Sequence, residues 1–302
     1  MTGQLSILVT GGTGLLGSCI VEKLCLEGFR VRVLTRNKIQ PSEKVEYFQG
    51  DITSEEKVKK AVSGCAGIIH CAGEKTDEAM MEDTNIRGTE NLYNVARGKD
   101  IPFFCHISSV GVIGRTSSKL VNEQEPCSPM NTYEKTKLTA EKIVEQGLPN
   151  GAIVILRPTN IFGVSLLHWY LDLSLTKKFK LWLRNKENAH LVYVEDVASA
   201  ALFFLNSPPD RECQTYIISS DQEAGNTIGE INSFIRTLTG DIKVKGLYPP
   251  LIIPWLVRLL RHGMSNMGNI VYSSDKLFST GFEMPFGFLN GIQKVYMNSR
   301  IE

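Results

Sequence analysis

The stretch Leu5–Gly17, LSILVTGGTGLLG, decides the fold. Its opening residues are apolar and β-branched, which predicts a buried strand that runs into a glycine turn. Apolar residues then recur at helical spacing up to Gly28, which predicts a helix ended by that glycine. Gly11, Gly14 and Gly17 therefore lie between a strand and a helix. In that context glycines let a pyrophosphate approach the backbone N–H groups at the helix N-terminus, so a dinucleotide site is predicted here.

Strand and helix patterns continue to alternate after this turn. Further apolar strand segments lie near residues 30–36, 45–51, 66–73, 102–109 and 152–158. Continuous apolar strands that alternate with helices are typical of a parallel sheet. We therefore expect an α/β fold of the Rossmann type, with a doubly wound parallel sheet and ligands beyond the carboxyl ends of the strands.

The pattern weakens after Pro158. We expect a second, smaller lobe there, which would bind the substrate and be built from interleaved C-terminal segments. The predicted domains are an NAD(P)-binding domain over 1–165, rejoined by 189–220, and a substrate-binding lobe over 166–188 and 221–302.

Composition excludes several classes of function. A net charge of +1 gives no field that would favour nucleic acid or an anionic membrane. No segment reaches the ~18 uninterrupted apolar residues of a membrane span. The closest, PPLIIPWLVRLLRH at 249–262, contains Pro254 and Arg258 and predicts an amphipathic helix, buried against its own domain rather than lying on a membrane surface.

Cysteine and histidine usage point to a cytoplasmic protein without a metal centre. The seven cysteines are scattered and form no C-x-x-C pair, which predicts buried free thiols. The N-terminus shows no signal-peptide pattern. With five histidines and no H-x-x-x-H cluster, we expect no catalytic metal.

The end of the second strand bears on the choice between NAD and NADP. An acidic residue there would bind the ribose hydroxyls of NAD, but this chain has Arg36 and no acid in the next six positions. Arg36, with Lys38, can pair with a 2′-phosphate, so NADP is the preferred cofactor. NAD is the alternative, with Arg36 as a surface residue. Asp51, after the third strand, can accept the adenine amino group, cap the helix that starts near Ser54, or do both.

Three polar residues are candidates for proton transfer. A carbinol that exchanges a hydride with a nicotinamide also exchanges a proton at its oxygen, and a free tyrosine, with a pKa near ~10, is a poor base at neutral pH. Tyr133 and Lys137 are four residues apart, on one helix face, so the lysine ammonium favours the phenolate. Ser109 is expected at the carboxyl end of the fifth strand, where its hydroxyl can donate to the reacting oxygen. Taken alone, the Tyr–Lys spacing is more often a solvated helix face.

A set of motifs resembles the extended short-chain dehydrogenase/reductase superfamily, in its NAD-dependent epimerase/dehydratase type. The segments run in the family's order between Gly11 and about Phe282: TGGTGLLG, GDIT, IIHCAG, NIRGTENL, HISSVGVIG, YEKTK, LRPTNIFG and VYVEDVA. The resemblance implies that Tyr133 is the general acid/base and that Lys137 also bonds the nicotinamide ribose. It also implies that Ser109 is the catalytic hydroxyl.

The resemblance implies further contacts with cofactor and substrate. The implied cofactor residues are Gly11, Thr13, Gly14, Leu15, Leu16, Arg36, Asp51, Ile52, Cys71, Ala72, Gly73, Asn85, Tyr133, Lys137 and Pro158. The implied substrate residues are Ser109, Val110 and Asn160. Asn160 resembles an asparagine that contacts the substrate pyrophosphate in nucleotide-sugar epimerases, and the alternative is a turn asparagine. His70 and His106 are expected to be core or cofactor-adjacent histidines rather than bases.

Departures from the family's patterns bear on the reaction. Val110 and Gly111 stand where sugar 4,6-dehydratases carry an acidic pair, so dehydration is disfavoured. The segment 274–285, SDKLFSTGFEMP, lacks the nearby arginine that epimerases often show, which puts diphosphate recognition in doubt.

Three hypotheses stay open. The first is a nucleotide-sugar epimerase that acts at the sugar C4. The second is an NADPH-dependent ketoreductase, acting on a deoxysugar or on an apolar, sterol- or flavonoid-like ketone. The third is a non-catalytic NADP sensor, which has no need of the Ser–Tyr–Lys set. The family also implies a homodimer through the helices near 78–98 and 132–146.

Overall fold

The computed structural model of the chain describes residues 6–164, 166, 174–210, 212–240 and 270–299. Strands and helices alternate up to residue 158 as the sequence predicts. They are β1 (Ser6–Thr10), α1 (Leu15–Leu26), β2 (Arg30–Thr35), β3 (Val45–Gln49), α2 (Glu55–Val62), β4 (Cys65–His70), α3 (Glu78–Met81), α4 (Gly88–Gly98), β5 (Phe103–Ile107), β6 (Leu120–Val121), α5 (Thr132–Val144) and β7 (Ala152–Pro158).

Shorter strands dominate the later part of the chain. They and their helices are β8 (Asn160–Phe162), α6 (Leu175–Leu183), β9 (Leu191–Tyr193), α7 (Val194–Asn206), β10 (Cys213–Ile218), α8 (Ile228–Thr239), β11 (Val271–Tyr272), α9 (Asp275–Phe278) and α10 (Gly287–Asn298).

Seven strands form one sheet in the order β10-β7-β5-β4-β1-β2-β3. The pairings with a described register are all parallel, from β2–β3 at one side to β5–β7 at the other. Every residue of β5 and β7 is buried, as expected of central strands covered on both faces. The predicted Rossmann-type, doubly wound parallel sheet is confirmed. Because chain order reverses between β1 and β4, a ligand crevice is expected at the carboxyl ends of these two strands.

The helix predicted near 78–98 is interrupted in its middle by a wider, π-helical turn at Glu82–Arg87. Asn85 lies in this turn and is 1% exposed, and its side chain hydrogen-bonds to Glu74 and Thr136. Turns of this kind are frequent at functional sites. The expectation of one regular helix is therefore wrong at this point. The wider turn is found where the Asn85 side chain bonds to the loop after β4 and to the helix α5.

Contacts within the chain divide it into two compact units. The first comprises Met1–Gly114, Cys127–Pro158 and Val197–Tyr216. The second comprises Arg115–Pro126, Thr159–Asp196 and Ile217–Glu302. The second unit thus takes in four segments that the sequence places in the first domain: 115–126, 159–165, 189–196 and 217–220. β6 pairs with β11, about 150 residues later. A pairing between such distant residues cannot be predicted from the local sequence pattern. The predicted substrate-binding role of the second lobe stays a prediction.

Aromatic side chains form the core of the second unit. The Phe162 ring centroid lies 5.3 Å from that of Tyr193 and 5.9 Å from that of Phe288. Asp196 accepts hydrogen bonds from two successive backbone N–H groups at the start of α10, at 2.9 and 3.1 Å. A carboxylate is favourable there because the N-terminus of a helix carries partial positive charge.

All seven cysteines are described and none forms a disulfide, so the predicted free thiols are confirmed. Cys65 and Cys105 are buried, whereas the other five are partly exposed, so full burial is predicted correctly only for those two. Within the described residues no helix is long and apolar enough to span a membrane. The amphipathic helix predicted at 249–262 lies outside the described residues.

Substitution of Gly17 tests the packing of α1 on the glycine turn. A Cβ atom at this position would overlap the carbonyl oxygen of Gly11, so we expect Gly17→Ala to lower the free energy of unfolding by about 2 kcal/mol or more. Gly98→Ala, in α4, is the matched control, because a Cβ atom there meets open space. Urea denaturation of both variants measures the difference. Equal stabilities would contradict the packing described.

Candidate active site

A cavity of about 340 Å³ opens at the carboxyl ends of the first four strands. Its volume falls in the range of about 300–1,000 Å³ that is usual for small-molecule sites. It lies at the reversal of strand order, where open α/β sheets bind their ligands. The predicted cofactor residues that line it are Gly11, Thr13, Gly14, Arg36, Asp51, Ile52, Cys71, Ala72 and Gly73.

The glycine turn shapes one wall of this cavity. The Gly14 N–H donates to the carbonyl oxygen of Gly11 at 3.0 Å, and α1 begins directly afterwards. Gly11 has a φ of 67°, and a Cβ atom there would lie 2.7 Å from the Ala72 nitrogen, so glycine is needed at this position. No side chain caps α1, which leaves its first backbone N–H groups available to a phosphate. The residues present therefore fit a dinucleotide.

A second cavity of about 440 Å³ shares Arg36, Gly50 and Asp51 with the first. Its remaining lining residues are Gln49 and Lys57, so two cationic side chains border it. In the described part of the chain neither cation forms an ion pair with a carboxylate. The arrangement can hold an anionic group beside the first cavity.

Asp51 orders the turn before α2. Its Oδ1 accepts hydrogen bonds from the backbone nitrogen and the hydroxyl of Thr53, at 2.9 and 2.8 Å. The N-cap residue of α2 is Ser54, whose side chain makes no capping bond. Of the two roles that the sequence left open for Asp51, helix capping is not the one its side chain performs, since its carboxylate binds Thr53, one residue before the cap. Its contact with adenine stays a prediction.

Several other lining residues were not predicted from the sequence. They are Thr10, Leu34, Thr35, Asn37, Gly50, Glu74 and Thr84. Thr10, Thr35 and Gly50 end or directly follow a strand of the parallel sheet, and Leu34 and Asn37 lie within two residues of the end of β2. Position at a strand end is a signal that the sequence carries. Thr84 gave no such signal, because it reaches the cavity from the π-helical turn. Bonds from the Thr76 hydroxyl and from backbone N–H groups lower the pKa of Glu74 to about 2, so its carboxylate is ionised.

Two histidines lie side by side behind the cavity. The rings of His70 and His106 are fully buried, with centroids 5.1 Å apart. His70 is hydrogen-bonded to the hydroxyls of Thr10 and Thr89, at 2.7 and 2.9 Å, whereas neither ring nitrogen of His106 has a partner among the described residues. Burial, with a smaller contribution from Lys137, lowers the pKa of His70 to about 3 and that of His106 well below its ordinary value. Both rings are neutral at neutral pH, and their full burial confirms that they are core residues.

Ser109 follows β5 and begins a short 3₁₀ turn. Its Oγ accepts a hydrogen bond from the Gly111 N–H at 3.0 Å, which leaves the hydroxyl proton free to be donated. A Cβ atom at Gly111 would lie 3.1 Å from Glu134 of α5, so this turn packs closely against the start of that helix. The neighbouring Ser108 is buried. The geometry suits Ser109 as the donor, and its catalytic role stays a prediction.

α5 carries Tyr133 and Lys137. Its N-terminus is capped by Asn131, whose side chain accepts the Glu134 N–H at 2.9 Å. Lys137 is 4% exposed, and its Nζ donates to the carbonyl oxygen of Ile107 at 2.5 Å. This bond joins α5 to the end of β5, two residues before the serine.

Burial governs the protonation of both side chains. It lowers the pKa of Lys137 to about 8, while Glu141 acts in the opposite direction. It raises the pKa of Tyr133, and Glu134 adds to the rise. The sequence predicts that Lys137 lowers the pKa of Tyr133. The direction is the opposite in this structure, because burial and Glu134 raise this pKa and leave Tyr133 a neutral phenol at neutral pH.

Asn85 connects the cavity to α5. Its Oδ1 accepts the Glu74 N–H at 2.7 Å, and its Nδ2 donates to the Glu74 carbonyl and the Thr136 hydroxyl, both at 2.9 Å. Thr136 lies between Tyr133 and Lys137 in sequence. Asn85 therefore does not line the cavity itself, but holds the loop after β4 against the helix that carries the candidate acid.

The remaining predicted residues lie at other places. Leu15 starts α1 and is 46% exposed, whereas Leu16 is a core residue. Pro158 is the buried last residue of β7, and Val110 is buried in the 3₁₀ turn. Asn160 is exposed at the start of β8 in the second unit, so its contact with a substrate stays a prediction. Among the described residues no group of three His, Cys, Asp or Glu side chains is placed to hold a metal ion.

Comparison with known families agrees with this site. The model of the NAD dependent epimerase/dehydratase family matches residues 7–219, which include the glycine turn, Ser109, Tyr133 and Lys137. The chain belongs to this family. The predicted resemblance to this family is thereby confirmed.

Members of the family with different reactions are similar to this chain. A decarboxylating sterol-4-alpha-carboxylate 3-dehydrogenase of Candida albicans is 32% identical over 180 residues, which cover 52% of this chain and 51% of that protein. The chain thus aligns with about half the length of this relative. A putative UDP-glucose 4-epimerase of Methanocaldococcus jannaschii is 29% identical over 223 residues, covering 66% of this chain and 73% of that protein.

Solved structures share the fold over nearly the whole chain. The UDP-glucose 4-epimerase of Thermus thermophilus, solved with NAD, matches with a TM-score of 0.71 and 23% identity. The match covers 98% of this chain and 99% of that one. At this identity the likeness shows the fold alone.

Replacement of the candidate acid tests the site. We expect Tyr133→Phe to keep the fold and to lower kcat for nicotinamide-dependent turnover by about 10²–10⁴-fold, because the proton donor is removed. Tyr47→Phe, on β3, is the matched control and should leave kcat unchanged. Near-full turnover of a folded Tyr133→Phe enzyme would refute the role.

Proposed function

We propose that this enzyme reduces a ketone to a secondary alcohol with NADPH. The observation that carries the proposal is the cavity bordered by Arg36 and Lys57, which continues from the glycine-lined cavity. A 2′-phosphate is a dianion on the adenosine ribose, and an arginine beside a lysine is well suited to bind it. In addition, no carboxylate stands at the end of β2 to bind the ribose hydroxyls of NAD.

The protonation states of the candidate residues favour the direction of reduction. When bound, the reduced nicotinamide supplies the hydride to the carbonyl carbon. Tyr133, a neutral phenol at neutral pH, donates its proton to the carbonyl oxygen, and the Ser109 hydroxyl donates a hydrogen bond to the same atom. Lys137, one helical turn away on α5, is largely protonated at neutral pH and stabilises the tyrosinate left behind.

The substrate class is proposed from the relatives. By its name, the Candida albicans relative is a 3-dehydrogenase of a sterol carboxylate, so it acts at a ring carbinol of an apolar molecule. We therefore propose a cyclic ketone, either apolar and sterol-like or a keto sugar. Val110 and Gly111 after the serine supply no acid or base, which speaks against a dehydratase.

A nucleotide-sugar 4-epimerase is the second candidate. Asn160 favours it, because this exposed amide at the start of β8 can donate to a pyrophosphate, and the Methanocaldococcus jannaschii relative is named a UDP-glucose 4-epimerase. Such an enzyme would oxidise and re-reduce the same carbinol with a retained cofactor. The two candidates therefore differ in whether reduced cofactor is consumed.

An absorbance assay separates the two candidates. With purified protein, NADPH and a panel of cyclic ketones and UDP- or dTDP-sugars, we expect one NADPH to be oxidised for each alcohol formed. Loss of absorbance at the reduced-nicotinamide band measures this. Conversion of a UDP-sugar into its epimer without a change in absorbance would overturn the reductase in favour of the epimerase.

Charge removal in the second cavity tests the cofactor preference. We expect Arg36→Ala and Lys57→Ala each to weaken NADPH binding about tenfold to a hundredfold and to change NADH binding little, because each removes a charge-assisted hydrogen bond to the 2′-phosphate. Lys60→Ala, on the same helix and paired with Glu56, is the matched control. Isothermal titration with both nucleotides measures the affinities. Tighter binding of NADH than NADPH to the wild-type protein would contradict the proposal.

A further inference from the structure

A buried ion pair lies behind the candidate catalytic residues. Glu141 of α5 is fully buried and Arg157 of β7 is 5% exposed. The guanidinium holds the carboxylate with two hydrogen bonds, Nε to Oε1 at 3.0 Å and Nη2 to Oε2 at 2.7 Å. Burying two charges is costly, and apolar residues of similar size stabilise a fold as well or better. The pair therefore calls for an explanation other than stability.

Helix geometry places Glu141 on the same face of α5 as Tyr133, the candidate acid. Tyr133, Lys137 and Glu141 are spaced by four residues and so lie on one face of α5. Arg157 directly precedes Pro158 at the end of β7. The pair thus joins the helix of the tyrosine and lysine to a strand of the central sheet.

The groups around Lys137 single out Glu141. Lys137 Nζ donates to the backbone carbonyl of Ile107, which carries no net charge. The titratable groups that act on the lysine or are affected by it from neighbouring strands are His70, Cys71 and His106. Burial keeps the two imidazoles neutral, and although Cys71 as a residue is partly exposed, desolvation of its thiol raises the pKa to about 12 and keeps that group neutral too. Among the described residues, Glu141 is therefore the carboxylate that offsets the burial of the ammonium.

We propose that Glu141 and Arg157 are positioning residues that set the charge and the orientation of Lys137. Glu141 stabilises the ammonium from one helical turn away. Arg157 neutralises part of the carboxylate and fixes its direction, so that Glu141 does not capture the lysine and draw it from the Ile107 carbonyl. This inference rests on the proposed function, because the set charge serves the proton transfer by Tyr133.

Single substitutions should move the titration of Lys137 in opposite directions. In Glu141→Gln the stabilising charge is lost and the Arg157 guanidinium is left unpaired, so we expect the pKa of Lys137 to fall by about one unit. In Arg157→Met the carboxylate is no longer shared, so we expect a rise by about half a unit. In the double variant Glu141→Leu/Arg157→Met, which buries no unpaired charge, the pKa of Lys137 should lie between its values in the two single variants.

The measurement is the NMR titration of lysine labelled with ¹³C at Cε, with the Lys137 signal identified by its loss in Lys137→Arg. The exposed Glu90→Gln variant on α4 is the matched control and should leave the titration unchanged. The alkaline limb of the pH profile of kcat/KM should move with the same signs. This titration needs no turnover, so it stays informative if NADPH-dependent reduction is not found.

Two results would overturn the inference. One is a Lys137 titration that is the same in wild type and in all folded variants, which would leave the pair a structural contact only. The other is a shift of equal sign in both single variants, which would indicate a general loss of packing around the lysine. A single variant with one unpaired buried charge is prone to unfold. If both single variants unfold, the double variant decides. It should remain folded, and its Lys137 should have a lower pKa than in the wild type, since the carboxylate that stabilises the ammonium is gone.

Discussion

The direct packing of Gly17 on the carbonyl of Gly11 is the contact on which the site depends. It leaves no room for a side chain, so α1 starts immediately above the end of β1. The N-terminus of the helix, which no side chain caps, then lies beside the cavity at the carboxyl ends of β1 and β4, where the sheet reverses its order. A bulkier turn would move the helix N-terminus away from this crevice. The position of the candidate cofactor cavity at the ends of the first four strands follows from that one close approach.

Local signals in the sequence were enough for the sheet and the glycine turn. The buried strands are unbroken apolar runs, and the residues within each run are enough to predict that it forms a buried strand. The Tyr133–Lys137 pair was also visible, because a spacing of four residues is a property of a single helix. Each of these features needs no information from distant parts of the chain.

Features that depend on contacts between distant parts of the chain could not be predicted from the sequence. The π-helical turn at Asn85 exists where that amide bonds to Thr136, 51 residues away, and its own segment reads as an ordinary helix. The pairing of β6 with β11 assigns 115–126 to the second unit for the same reason. The protonation of Tyr133 is a further case, since burial raises its pKa and burial is a property of the packed fold, not of the spacing to Lys137.

The behaviour expected of the cofactor follows from how its binding site is charged. Arg36 and Lys57 are exposed, so their attraction for a phosphate is screened by salt and binding by them is readily reversed. Lys137, in contrast, is buried and anchored to Ile107, so its charge acts in a dry environment. A reductase has to release oxidised cofactor after every turnover, whereas an epimerase keeps it. Under the proposed function, the exposed cations suit a cofactor that exchanges after every turnover. The fixed ammonium, on the same helix as Tyr133, suits the proposed proton transfer.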